Sequence, residues 1–279
     1  MFKSSYHICT VSGIPIRVEI SLLVMLFLVV SRFTNPVFGI AVGIGLAISI
    51  ALHELGHSLV AQAFGCKVRD ITLMMLGGCA TIVNMPRKAW QEILMAAAGP
   101  AVSALLAAFG IAVGSGLIPV PGRFFGAVVV ELAWWNLGLL LFNLLPAFPL
   151  DGGRILRAFL QQFFMTRVRA TWVASRLGRF FAILLVASVV WSFLSGNFKD
   201  YMFIRLLIAY MIYQSAEQEY RMVLMEEGGA RRKPNPFAGF PFFGRSSTRT
   251  PPPDDGKAVV SPPPYERGGA TRVDVHKEN

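Results

Sequence analysis

Ile44-Gly45-Leu46-Ala47-Ile48-Ser49-Ile50-Ala51-Leu52-His53-Glu54-Leu55-Gly56-His57-Ser58-Leu59-Val60-Ala61 is the stretch that decides how this chain is read. It closes an apolar run that begins at Val37 and holds no charge before His53. About 20 mostly apolar residues suffice to cross a bilayer as a helix. On such a helix, residues four apart share one face, one turn above the other. His53 and His57 can therefore both reach a single zinc ion. Glu54, on the adjoining flank, is placed to act as the general base. Ionisable side chains inside a membrane segment are costly and mark function. The blander reading is that the three polar groups only hydrogen-bond between helices.

The surroundings agree with a membrane solvent. Of 279 residues, 54% are hydrophobic and 15% are charged, against about a quarter charged in ordinary soluble domains. Six segments are expected to span: 18–34, 37–60, 92–118, 124–149, 172–195 and 198–214. Arg17 and Glu19 weaken the first, and Arg205 the last. Ile14, Ile16, Val18 and Ile20 alternate with Pro15, Arg17 and Glu19, the period of a strand. Val68 to Leu76 and Cys79 to Val83 read as a hairpin turning at Gly77-Gly78. The fold class expected is an all-α polytopic membrane protein of about six helices, with short cytoplasmic strands and a hairpin near the site.

The net charge of +10 points to membrane topology and not to nucleic acid, for which no motif is present. One set of connections holds Lys3, Arg17, Lys67, Arg69, Arg87, Lys88, Arg154, Arg157, Arg167 and Arg169; the other holds Arg32, Arg123 and Lys199. The bias puts both termini in the cytoplasm. Cys9, Cys66 and Cys79 form neither a C-x-x-C pair nor an even framework. No cleavable signal peptide is expected. From about Gly228 the chain becomes basic and proline-rich, so residues 1–227 are expected as the membrane domain and 228–279 as a disordered cytoplasmic tail.

A catalytic zinc site normally takes three protein ligands and leaves a place for water. His7 and His276 lie near the chain ends, so a carboxylate is the better third ligand. The orientation above runs segments two and four the same way. Asp151, after Pro146 and Pro149, then falls at the same end as the histidines, whereas Glu131 lies five to six turns earlier. Asp151 is the candidate. Asn136 and Asn143, seven apart, share a face of segment four. As intramembrane amides they either join helices or serve the substrate, for instance at the oxyanion.

Together these residues resemble the site-2 protease family of intramembrane zinc metalloproteases. The resemblance covers residue 11 to about 215. It rests on Ser12-Gly13-Ile14-Pro15-Ile16-Arg17-Val18, the H-E-x-x-H stretch, Leu76-Gly77-Gly78, Ala98-Gly99-Pro100, and Asn143-x-x-Pro146 leading into Pro149-Leu150-Asp151-Gly152-Gly153. The last looks like the family's second metal motif, which makes Asp151 the third ligand. The resemblance implies a minimal six-helix member, without PDZ or nucleotide-sensing domains. It would hold one zinc ion per chain in the cell membrane. It would cut transmembrane protein substrates, in regulated intramembrane proteolysis or in clearing signal-peptide remnants. Ser103 stands where the family commonly has Asn. The rival reading is a metal-handling transporter, which would have no need of Glu54 beside the metal. The sequence leaves the natural substrate and the oligomeric state open.

Overall fold

A computed structural model describes residues 5–75, 77–83, 88–196 and 202–228. The order is β1 (Ser5–Val11), β2 (Ile14–Glu19), α1 (Ile20–Val30), α2 (Pro36–Ala63), β3 (Val68–Met74), β4 (Gly77–Ile82), α3 (Ala89–Gly114), α4 (Arg123–Asn143), α5 (Asp151–Phe163), α6 (Arg167–Leu194) and α7 (Met202–Gly228). The chain divides at Ala230, and every described residue belongs to the first unit. Apart from Gly228, the tail expected at 228–279 lies outside the described residues.

Of the six expected spans, four correspond to helices long and apolar enough to cross a membrane: α2, α3, α4 and α6. The first expected span divides. Its opening residues belong to β2, and α1 has only 11 residues, about 16 Å of helix against a core of about 30 Å. The expected span at 198–214 begins in residues outside the described set. α7 is long, at 27 residues, but its second half carries Glu217, Glu219, Arg221, Glu226 and Glu227. The fourth expected span stops at Asn143, where a turn over 144–150 leads into α5.

α2 shows how the sequence sets two faces. Asn35 caps it, its Oδ1 accepting from the amides of Val37 at 3.0 Å and Phe38 at 3.2 Å. Pro36 opens the first turn, where a missing N–H costs nothing. Val37, Ile40, Ile44 and Ile48 point outward and are more than half exposed, a stripe suited to lipid. Val42, Leu46, Ile50, His53 and His57 face inward and are buried. The histidines therefore stand on the packed face.

The strands form one sheet in the order β1-β2-β3-β4. β1 pairs with β2 and β3 with β4 antiparallel, while β2 and β3 are parallel. Ser12 (φ 51) and Gly13 (φ 78) turn β1 into β2, with positive φ at both central positions of a two-residue hairpin loop. The expected strand at 14–20 is β2, and the expected hairpin is β3–β4. Its turn differs: Gly77 and Gly78 lie in β4, and Leu76 is outside the described residues. Ile14, Ile16, Ile71 and Leu73 pack with Leu22, Val42 and Leu46 in one core, which seats the sheet against α1 and α2. Among the described residues β4 is the terminal strand of the sheet, with one edge free.

α3 lies between α2, α4 and α5, and α6 pairs with α7. Charge ties α3, α5, α6 and α7 together. Arg157 of α5 donates Nε–H to Glu92 of α3 at 3.0 Å and Nη1–H to Glu219 of α7 at 2.6 Å; Nη2 also reaches Glu92. Burial opposes the charged guanidinium of Arg157, but the two carboxylates outweigh it and hold its proton more tightly than usual. Arg179–Glu217 (2.7 Å) and Arg167–Glu226 (3.5 Å) join α6 to α7.

Candidate metal centre

The site is assembled by α2, α3, the end of α4, the start of α5, and β4. His53 and His57 are 3% and 8% exposed. Each ring is fixed from behind by α3: His57 Nδ1 donates to the Met95 carbonyl at 2.7 Å, and His53 Nδ1 bonds Ser103 Oγ at 2.9 Å. A carbonyl only accepts, so His57 carries its proton on Nδ1 and its Nε2 lone pair is left for a metal. Met95, Gly99 and Ser103 are four apart and form one stripe of α3 facing the pair. Gly99 has no side chain for a physical reason: a Cβ there would fall on Nε2 of both histidines, 2.7 Å from that of His53.

Asp151 opens α5. Its Oδ2 stands 3.2 Å from Nε2 of His53 and 3.2 Å from Nε2 of His57. The donor atoms of His53, His57 and Asp151 all lie within 4.8 Å of one another. Two ligands in a tetrahedral zinc site with bonds of 2.0–2.1 Å stand about 3.3 Å apart, close to the 3.2 Å found. Two imidazoles and one carboxylate, with backing partners in place and a glycine notch in front, fit zinc.

Glu54 stays outside that ligand group. It is pressed against β4, so closely that a Cβ on Gly78 would collide with its Cγ. That contact explains why a glycine stands at this position of the strand. Glu54, Asn143, Asp151 and Arg154 line a cavity of about 330 Å³, together with Cys79 of β4 and Met211 of α7. Of the two asparagines, Asn143 reaches this cavity, its Nδ2 donating to Leu139 O at 3.0 Å. Asn136 is buried and does not line it; it donates to Ser49 Oγ at 3.0 Å and joins α4 to α2. Sequence reasoning set Ser103 aside as a departure. The structure makes it the partner of His53, a role its four-residue step from Gly99 could have signalled.

A multi-helix membrane protein with a His–His–Asp metal centre is thus the class that fold and site define. The family model described as Peptidase family M50 matches residues 41–122 and 122–185, and the chain belongs to that family. A curated zinc metalloprotease of Methanocaldococcus jannaschii is 34% identical over 230 residues, covering 80% of this chain and 62% of its own length. A relative in Synechocystis is 36% identical over 199 residues, covering 66% of this chain and 52% of its own. This chain therefore spans roughly half to three-fifths of these relatives' length. Among solved structures, a site-2 protease from Methanocaldococcus jannaschii superposes with TM-score 0.57 at 33% identity, over 78% of this chain and 95% of that one.

Proposed function

We propose that this chain is a zinc endopeptidase that hydrolyses peptide bonds within membrane-spanning segments of other proteins. In this reading His53, His57 and Asp151 hold the metal and Glu54 is the general base. The observation that carries it is Glu54: a carboxylate beside the three donors, lining the same cavity, yet outside the ligand group. A carrier of metal has no use for that group.

Bound zinc would supply Lewis acidity, bringing the pKa of water to about 7 and polarising the scissile carbonyl. Glu54 takes a proton from the attacking water and passes it to the nitrogen of the leaving amine as the C–N bond breaks. The amide of Asn143 and the guanidinium of Arg154 face the same cavity, where developing negative charge on the carbonyl oxygen needs donors. The packing of Gly78 on Glu54 restricts that carboxylate to few positions.

A substrate helix must unwind to offer a peptide bond, and its freed backbone groups then need partners. The free edge of β4 supplies them by strand addition, and Cys79, Ala80 and Ile82 of β4 line the cavity. The inferred substrates are membrane-tethered regulators or signal-peptide remnants. The domain up to residue 227 suffices for catalysis, and both termini face the cytoplasm. Reporter fusions at Gly122 and Gly228 should then report opposite sides of the membrane.

Metal removal tests the reading. Protein stripped with a chelator should lose cleavage of a reporter transmembrane substrate and regain it with one equivalent of zinc. Cleavage that persists in metal-free protein would refute it.

A further inference from the structure

One intramembrane carboxylate takes no part in this chemistry. Glu131 lies within α4, three turns above Asn143. Its Oε1 accepts from Trp135 Nε1 at 3.1 Å, and among the described residues no donor reaches Oε2. An ionisable group at such a depth needs a reason. Glu131 sits on the wall of an open groove of about 490 Å³, otherwise apolar, between α1, α2, α4 and Ile208 of α7. Trp135, Gly138 and Phe142 continue the same face of α4 at helical spacing and line the groove. At Gly138 a Cβ would meet nothing within 4 Å, so the groove floor is open there.

The groove leads to the site. Ile50, Gly77, Leu139 and Phe142 line both this groove and a small pocket of about 50 Å³ that touches His53, Glu54 and Asn143. The path from Glu131 to Asn143 is twelve residues of helix, about 18 Å.

We propose that this groove holds the membrane-spanning helix of the substrate, and that Glu131 selects a lysine or other N–H-bearing side chain in it, on the side of the scissile bond away from the cytoplasm. The inference rests on the endopeptidase reading and adds a specificity-determining residue to it. The occupant follows from three features: an apolar wall suited to a lipid-soluble segment, an acceptor with a free lone pair in that wall, and continuity with the catalytic cavity. A span of about 18 Å corresponds to twelve residues if the substrate stays helical, or about eight if the three residues next to the cut are extended. An interhelical polar contact in a membrane changes affinity by roughly five- to thirtyfold.

The test uses the zinc-loaded full chain in micelles and a set of polyleucine-based transmembrane substrates. Each carries one lysine, moved from about four to sixteen residues beyond the cut. Cleavage by wild type and retention of uncleaved peptide by Glu54→Gln are both measured. The lysine profile should peak roughly five- to thirtyfold above the all-leucine substrate near positions eight to twelve. In Glu131→Leu the peak should collapse to a ratio of about one, and Glu131→Lys should move the preference to aspartate at the same position. Gly138→Phe, which fills open space, should keep its zinc and lose peptide retention. A flat profile in wild type, or a peak that survives Glu131→Leu, overturns the groove assignment while leaving the endopeptidase reading intact. Zinc-loaded wild type that cleaves none of the substrates overturns both.

Discussion

Replacing Arg157 with leucine should destabilise the protein mainly through the carboxylate it leaves behind. Arg157 is 2% exposed and Glu92 is 7% exposed, so the deletion strands a buried charge without a partner. Glu219, whose side chain is 25% exposed, can turn to water and adds little. Removing one member of a buried pair costs about 3–5 kcal/mol. For a domain of this size that lowers the melting temperature by roughly 6–20 °C. The guanidinium also lies over the Phe148 ring, 5.2 Å from its centroid, in the turn that delivers Asp151. Zinc should therefore leave the variant faster than wild type. Melting in detergent can be followed with a thiol dye that reports Cys66, the buried cysteine, after the exposed Cys9 and Cys79 have reacted. The double variant Arg157→Leu/Glu92→Leu removes the stranded charge and should recover at least half of the loss, since an apolar pair commonly replaces a buried ion pair at little cost. A single variant melting within about 2 °C of wild type would refute the reasoning. So would a double variant as unstable as the single.

Three further outcomes follow from the site's construction. Gly99→Ala should abolish zinc binding, measured by metal content, because the new methyl occupies the space in front of both Nε2 atoms. Ser103→Ala should weaken zinc affinity about 10- to 100-fold in a competition titration, with His53 losing its backing partner, and Ser103→Thr should restore most of it. Cys79→Pro and Ala80→Pro, neighbours on the free edge of β4, should between them sharply reduce cleavage of a helical substrate at normal zinc content, because one removes an outward donor. Equal loss on a substrate already loosened by helix-breaking residues would leave β4 as a lid and not a clamp.

Much of the site was legible because its spacing is local. His53 and His57 declare themselves by a four-residue step inside an apolar helix, and Asp151 by standing after Pro146 and Pro149 at the matching end. What escaped depends on long-range partners. Ser103 meets His53 across 50 residues, and Arg157 meets Glu92 and Glu219 across 65 and 62. No periodicity announces such pairs. β1 escaped because six of its seven residues are exposed, so no apolar alternation marks it; the Ser12-Gly13 turn recruits it to β2. The turn glycines were misplaced because a Gly-Gly step reads as a turn, whereas Gly78 is needed for its approach to Glu54. α5 was hidden because its 13 residues are too few to span a membrane, and Arg154 and Arg157 read as the charge of a connecting loop. The first and last expected spans are not matched by a long apolar helix among the described residues, because charge in β2 and in the second half of α7 shortens the apolar runs.

In the proposed mechanism, binding the metal and moving the proton belong to different side chains. Glu54→Gln separates them. It keeps the size of the side chain against Gly78 and leaves His53, His57 and Asp151 untouched, but cannot take a proton from water. Purified side by side with wild type, the variant should carry the same single zinc per chain and cleave a reporter transmembrane substrate at least roughly a hundredfold more slowly. Cleavage near the wild-type rate, with zinc still bound, would contradict it.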